Sequence, residues 1–493
     1  MAPFFAHRSC DPFTPANVPC TLGNYVNYAI NASGAADIAA GVRFAKENNI
    51  RLVIRNTGHD YLGRSTGAYS LGIWTHHLNA ISFLTYTSPV YTGPAFKLGA
   101  GVQVREAYAF ASSQNKIIIG GACQTVGLAG GYTQGGGHSP LSSKYGLAAD
   151  QTLEWEVVLA NGSFATASST HNRDLYWAMS GGGAGAYAVA VSLTVRAHED
   201  PPITTGVSLD FDLADMNEEF YYELVGLWHK VMPSLTAANG TLVYYVTNTT
   251  FALTPLAFPG SNATTVVSLL SPFTNGLKRR NVNYSLSIQE FPNYLSFYNS
   301  MFSEFQIGEF QNGGWLIPKS AVEENSEGVT AAIRNVVRHG GTFIGVGLDV
   351  GHDHHSHPDD DDAITFNAVL PAWRTAQIVA IITLPWNNTS PWSKILHQQK
   401  TITDELVPRL QALSPEGDEE QGSYGNEADF NQPDWQRLFY GLKNYKTLLK
   451  IKQAYDPESL FYNLKAVGSE VWVVGDEDED DDDDDGDGRM CRV

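Results

Sequence analysis

Apolar side chains recur at helical spacing through residues 35–48, and residues 50–54 then alternate, so the chain is predicted to open on a helix followed by a strand. Residues 153–159 and 189–195 are short apolar runs set between glycine clusters, the mark of strands joined by tight turns. Beyond Pro201 the pattern changes. Residues 218–231 are amphipathic, and 241–246 and 342–348 read as strands, which predicts a second unit built as a sheet with helices on one side. Near the end, Trp435, Leu438, Phe439, Leu442, Tyr445, Leu448, Leu449 and Ile451 keep helical spacing across 433–455, and Tyr455-Asp456-Pro457 stops the helix. Helix and strand therefore mix throughout, an α+β chain without an internal repeat.

Composition narrows the class. The 493 residues suit two domains with a cleft between them, and they are 43% apolar and 17% charged. No apolar run approaches the ~18 residues of a membrane helix, so no membrane partner is expected. The net charge of −21 is concentrated: eleven acids lie between Asp476 and Asp487, and five more are Asp353, Asp359, Asp360, Asp361 and Asp362. No basic stripe exists to displace phosphate counterions, which argues against nucleic acid.

Eight Asn-x-Ser/Thr sequons, at Asn31, Asn161, Asn239, Asn248, Asn262, Asn283, Asn387 and Asn388, lean toward a glycosylated chain of the secretory pathway. Met1 to Cys10 lacks the basic-then-apolar pattern of a signal peptide, which leans the other way. Of the four cysteines, Cys10 and Cys20 stand ten apart and are able to pair in an oxidising compartment; Cys123 and Cys491 are the others.

The candidate chemistry sits in the glycine clusters. Arg55-Asn56-Thr57-Gly58-His59-Asp60-Tyr61-Leu62-Gly63 follows a predicted strand, and its glycines let backbone N–H groups converge on an anion, as a pyrophosphate cradle requires. Residues 120–137 carry eight glycines, a run that implies backbone lying against a large flat ligand or against other backbone. Gly181-Gly182-Gly183-Ala184-Gly185-Ala186-Tyr187 fits a dinucleotide fingerprint in letters only. A helix at 173–179 precedes it and a strand follows, the reverse of the order that fingerprint needs. There is no P-loop pattern, so nucleotide hydrolysis has no support.

Four motifs in order, Arg-Asn-Thr-Gly-His-Asp, Cys-Gln-Thr-Val-Gly-Leu-Ala-Gly-Gly, Asp-Leu-Tyr-Trp-Ala-Met-Ser-Gly-Gly-Gly and Tyr-Asp-Pro-Glu-Ser-Leu-Phe-Tyr-Asn, resemble the berberine-bridge-enzyme-like FAD-linked oxidases. These belong to the vanillyl-alcohol-oxidase superfamily with a PCMH-type FAD-binding domain, and the wording here is closest to fungal members. The resemblance implies an N-terminal segment 1–19, an FAD-binding lobe 20–199, an inserted substrate domain 200–422 of antiparallel sheet plus helices, and a berberine-bridge-type segment 423–473 returning to the FAD lobe. Residues 474–493 are then an acidic disordered tail.

The same resemblance implies that His59 bonds the flavin 8α-methyl and Cys123 bonds flavin C6, giving a doubly attached FAD. It assigns to the cofactor Arg55, Asn56, Thr57, Gly58, Asp60 and Gly63 in the first motif. In the second it assigns Thr125, Val126, Gly127, Gly130, Gly131, Gly135, Gly136, Gly137, His138, Leu141, Tyr145, Gly146, Leu147 and Asp150. Gly183, Gly185, Val189 and Asn463 complete the set, and Tyr462 is placed at the substrate face of the ring as the catalytic base.

The expected function is oxidation of an alcohol, amine or benzylic carbon of a small molecule, with dioxygen as acceptor, by a monomer of secondary metabolism. A secreted carbohydrate oxidase is the alternative within the class, and a non-catalytic secreted glycoprotein the alternative outside it. The run His352-Asp353-His354-His355-Ser356-His357 has irregular spacing and reads as a solvated loop, so no metal is expected there.

Overall fold

The computed structural model describes residues 2–6, 9–303, 310–351, 367–387, 389–417, 420–474 and 490–493. The histidine-rich run at 352–357, the acids at 359–362 and most of the acidic tail lie outside the described residues.

Among the described residues the first lobe holds two main sheets. Tyr28–Asn31, Ser70–Trp74 and Arg51–Arg55 form a three-stranded parallel sheet in that order, with the predicted helix, Ala35–Glu47, packed against it. Ile81–Thr87, Thr92–Gly99, Val189–Arg196, Thr152–Val158 and Phe164–Ser168 form an antiparallel five-stranded sheet in that order. Trp155 is fully buried, and its indole Nε1 donates to Ser180 Oγ at 3.1 Å, so the core gains a large apolar body without an orphaned donor.

The second lobe is a seven-stranded antiparallel sheet in the order Ser285–Phe291, Thr204–Asp212, Thr250–Pro259, Thr241–Val246, Thr342–Gly347, Ala376–Pro385 and Phe310–Pro318. Helix Glu218–Ala237 covers one face. Asn217 caps it by accepting from the backbone N–H of Phe220 at 2.9 Å, and Glu218 and Glu219 suit the positive end of its dipole. Its buried stripe, with Tyr221, Leu224, Val225, Trp228, Met232 and Leu235, repeats every three or four residues, which is the pattern that predicted it.

The chain then returns to the first lobe. Phe461 bridges Leu52 in parallel, and Lys452 buries its ammonium among three acceptors: Asp456 Oδ2 at 2.5 Å, Phe461 O at 2.7 Å and Ala186 O at 2.8 Å. Two expectations change. The helix read across 433–455 is two, Trp435–Tyr440 and Leu442–Tyr455, because Gly441 takes φ +77° and turns the chain between them. The tail read from 474 onward is paired at both described ends, where Trp472–Val474 and Met490–Arg492 form an antiparallel pair.

Cys10 and Cys20 form a disulfide, and Phe4 stacks on Trp392, tying the N-terminal segment to the rest. Among the described residues no helix is long and apolar enough to cross a membrane, and no three His, Cys, Asp or Glu side chains converge as metal ligands.

Candidate active site

Strand Arg51–Arg55 delivers the first motif to the lobe surface. Gly58 turns the chain at φ +82°, and a Cβ there would stand 2.7 Å from Arg55 Nη2, so the turn requires glycine. Arg55, Asn56, Thr57, Trp74 and His76 line a cavity of about 410 Å³. Two of its polar atoms, Asn56 Oδ1 and His76 Nδ1, are buried with no partner, so the cavity suits a ligand rich in donors and acceptors. The Asn56 side chain is fixed by donating to Ala100 O, and Gly127 lies so close that a Cβ would fall 2.6 Å from Asn56 Oδ1. The glycine run is thus backbone laid against the first motif.

The two motifs converge on one hydroxyl. His59 Nε2 is 2.7 Å from Thr125 Oγ1, and Cys123 Sγ is 3.8 Å from the same oxygen. His59 is exposed at its outer edge, yet the protein around it holds its pKa below the ordinary imidazole value. A neutral ring nitrogen and a free thiol therefore face one place.

Tyr61 connects this pair to a second. Burial lifts its phenol pKa far above the usual range, and the charges of Glu427 and Cys123 raise it further. His138 Nε2 stands 3.0 and 3.2 Å from the two carboxylate oxygens of Glu427. Burial pulls the His138 pKa down, but the Glu427 charge and hydrogen bond outweigh it and leave it above the ordinary value. The segment carrying Glu427 lies along the glycine run: Asn426 Nδ2 donates to Gly131 O at 2.7 Å and to Tyr424 Oη at 2.8 Å, and a Cβ on Gly135 would meet it at 2.5 Å. Gly136 at φ +119° and Gly137 at φ +77° present their carbonyls to Ala149 and Ala148, and Tyr132 Oη donates to His138 O.

Other expected cofactor residues have structural partners. Asp60 Oδ1 accepts from the backbone of Leu62 and Arg64, and Gly63 packs on Phe5, so both shape the turn after His59. Val126 O accepts from Val104 N, and Gly130 sits in the bend after Leu128 with ψ −146°. Leu141, Leu147 and Val189 are core residues. Tyr145 packs its ring 4.5 Å from that of His198, and Gly146 turns at φ +85° behind it. Asp150 ties the lobes together, accepting from Arg374 Nη1 at 3.0 Å, Arg374 Nη2 at 2.7 Å, Asn367 Nδ2 at 2.7 Å and Leu147 N at 2.8 Å. Gly183 takes φ +92° beside Tyr440, and Gly185 O accepts from Asn463 Nδ2 at 2.8 Å, a staple between the third glycine cluster and the returning segment.

Tyr462 lies in the returning segment. Its neighbour Phe461 pairs with Leu52, and the charge it interacts with belongs to Arg51, the first residue of strand Arg51–Arg55. Glu427, Tyr61 and Asn426 were missed in the sequence. Tyr61 follows the His59 motif directly, whereas Glu427 stands 289 positions from its partner His138, and no local pattern announces the contact.

Comparison with known proteins matches residues 26–168 to the family described as FAD binding domain and residues 423–468 to berberine and berberine like. The chain is 44% identical to the FAD-linked oxidoreductase patO of Aspergillus clavatus over all of its own length and 83% of that protein. Its structure resembles the VAO-type flavoprotein MtVAO615 of Myceliophthora thermophila, with TM-score 0.88 and 38% identity over 99% of this chain and 86% of that one. A glucooligosaccharide oxidase from Acremonium strictum, described as carrying 6-S-cysteinyl, 8α-N1-histidyl FAD, shares the fold at TM-score 0.70 and 20% identity, over 90% of this chain and 93% of the other.

Proposed function

The chain belongs to the FAD-linked oxidoreductases of the berberine-bridge type, and on that footing we propose that it holds FAD covalently through His59 and Cys123 and oxidises an alcohol, amine or benzylic carbon of a small molecule. The observation that carries the reading is the convergence of His59 and Cys123 on the Thr125 hydroxyl. The orphaned His76 Nδ1, which can donate to an anion, and the glycine backbone against Asn56 support the fit of a pyrophosphate-bearing cofactor. The Cys-and-His flavin of the glucooligosaccharide oxidase is a precedent for two links on this fold.

FAD held there would supply the hydride acceptor, with dioxygen taking up the electron pair to give hydrogen peroxide. The chain's own work is to orient the substrate and take its proton. Glu427 is assigned that proton, at its carboxylate, because its neighbour Asn426 lies against the glycine run at Gly131 and Gly135 and its own partner is a histidine inclined to carry the positive charge. His138 is the positioning residue, since its Nε2 holds both carboxylate oxygens. Tyr61, Tyr132 and Tyr424 surround the pair as neutral phenols, burial keeping all three protonated. The likeness to a carbohydrate oxidase is one of fold alone and adds nothing to a carbohydrate reading. A panel of alcohols and amines tests the proposal: at least one should bleach the flavin without oxygen and yield peroxide with it. A yellow protein reduced only by oligosaccharides would overturn the small-molecule reading.

A further inference from the structure

We infer that the sheet face turned toward Glu427 selects the substrate, and that Asn312 on it hydrogen-bonds the hydroxyl of an otherwise apolar alcohol. This rests on the function proposed above and narrows its substrate class.

The face is identified by one close approach. In strand Phe310–Pro318 a Cβ on Gly314 would lie 2.6 Å from Glu427 O, and Gly314 O accepts from Ser423 Oγ at 2.7 Å. Side chains alternate along a strand, so Asn312 shares the side of Gly314, while Gly313 and Trp315 face away. Directly paired residues share a face, which extends the wall to Thr383 opposite Asn312, Ile381 opposite Gly314, Ile344 opposite Ile381 and Tyr245 opposite Ile344. Tyr245, Ile344, Ile381 and Thr383 are all half-buried, whereas on the reverse face Tyr244, Trp315, Phe343 and Ile382 are buried.

Two properties of this wall point to its ligand. None of its side chains is charged, and isoleucine and tyrosine supply most of its area, so it suits an apolar body and offers nothing to a carboxylate or an ammonium. Asn312 breaks the pattern. It is only 1% exposed, yet both Nδ2 and Oδ1 lack a hydrogen-bond partner. A buried amide with both atoms unsatisfied is unfavourable unless a ligand satisfies it, and one donor beside one acceptor is the complement of a hydroxyl. A site built this way discriminates strongly against a ligand that leaves the amide unpaired.

The test uses the purified full chain, with benzyl alcohol and cellobiose as probes and the change in the flavin absorption band under anaerobic conditions as readout. Benzyl alcohol should give a saturable perturbation or bleaching, and cellobiose should not. Asn312→Leu, the same branched outline without polar atoms, should raise the half-saturating benzyl alcohol concentration at least tenfold at unchanged flavin content. Asn312→Ser, which restores a donor and an acceptor, should recover part of the loss. Flavin content is measured first in the same preparations. A colourless wild type overturns the flavin reading and this inference with it. A yellow wild type indifferent to both probes, or an Asn312→Leu variant that responds to benzyl alcohol as wild type, overturns the inference alone, whereas a response to cellobiose in place of benzyl alcohol overturns the small-molecule reading as well.

Discussion

His138 and Glu427 form a two-point contact across 289 residues of sequence, the imidazole Nε2 reaching both carboxylate oxygens, at 3.0 and 3.2 Å. Under the proposed reaction this pair receives the substrate proton. Glu427→Gln keeps the shape and removes the base, so anaerobic flavin reduction by the best substrate should slow by about a hundredfold or more, the usual scale for general-base loss. Stopped-flow reduction within threefold of wild type would assign the proton elsewhere.

With the substrate proton assigned to Glu427, Tyr462→Phe should leave that rate within about threefold. A hundredfold loss on the scale of a missing base would return Tyr462 to the reacting centre.

Asp429 is expected to make stability depend on pH. Burial raises its carboxyl to about 6, against the hydrogen bond from Thr403 that lowers it. A folded pKa above the unfolded value favours the fold when the group is protonated, so this contribution is full below about pH 4 and is lost as pH rises through about 6. Its size is on the order of 2–3 kcal/mol. Asp429→Asn should flatten the fall in denaturation midpoint between pH 4 and pH 7 relative to wild type. An unchanged slope would show that the carboxyl titrates alike folded and unfolded.

The fold was legible in the sequence where burial imposed a period. The alternation at 241–246 and the helical stripe from Tyr221 to Met232 each face a single core, and the strand Thr241–Val246 appears with the predicted bounds. Gly441 was not legible as a break, because Leu438, Leu442 and Tyr445 keep their spacing through it. In the candidate site, His59 and Cys123 could be named because each sits in a contiguous motif. Glu427 and Asn312 could not, since their significance comes from what the fold brings beside them. Asp456 is a middle case: the stop signal was visible, but not that its carboxylate meets Lys452 and the backbone N–H groups of Leu460 and Phe461.

That buried pair holds the returning segment against the third glycine cluster, with Lys452 and Asp456 almost wholly excluded from water. Lys452→Met strands the Asp456 charge and should destabilise the protein by about 3–5 kcal/mol. Adding Asp456→Asn removes the stranded charge while leaving an acceptor for the backbone, so the double variant should recover part of the loss. A double variant no better than the single would place the cost in packing instead.

The convergence of His59 and Cys123 on Thr125 makes the central claim, two covalent links to one flavin, open to a direct measurement: flavin retained after acid precipitation. Wild type, His59→Ala and Cys123→Ala should each give a yellow pellet, the single variants through the remaining bond, and the double variant should release all its flavin to the supernatant. Complete release from His59→Ala alone would show that Cys123 is no linkage, and complete release from wild type would contradict covalent attachment altogether.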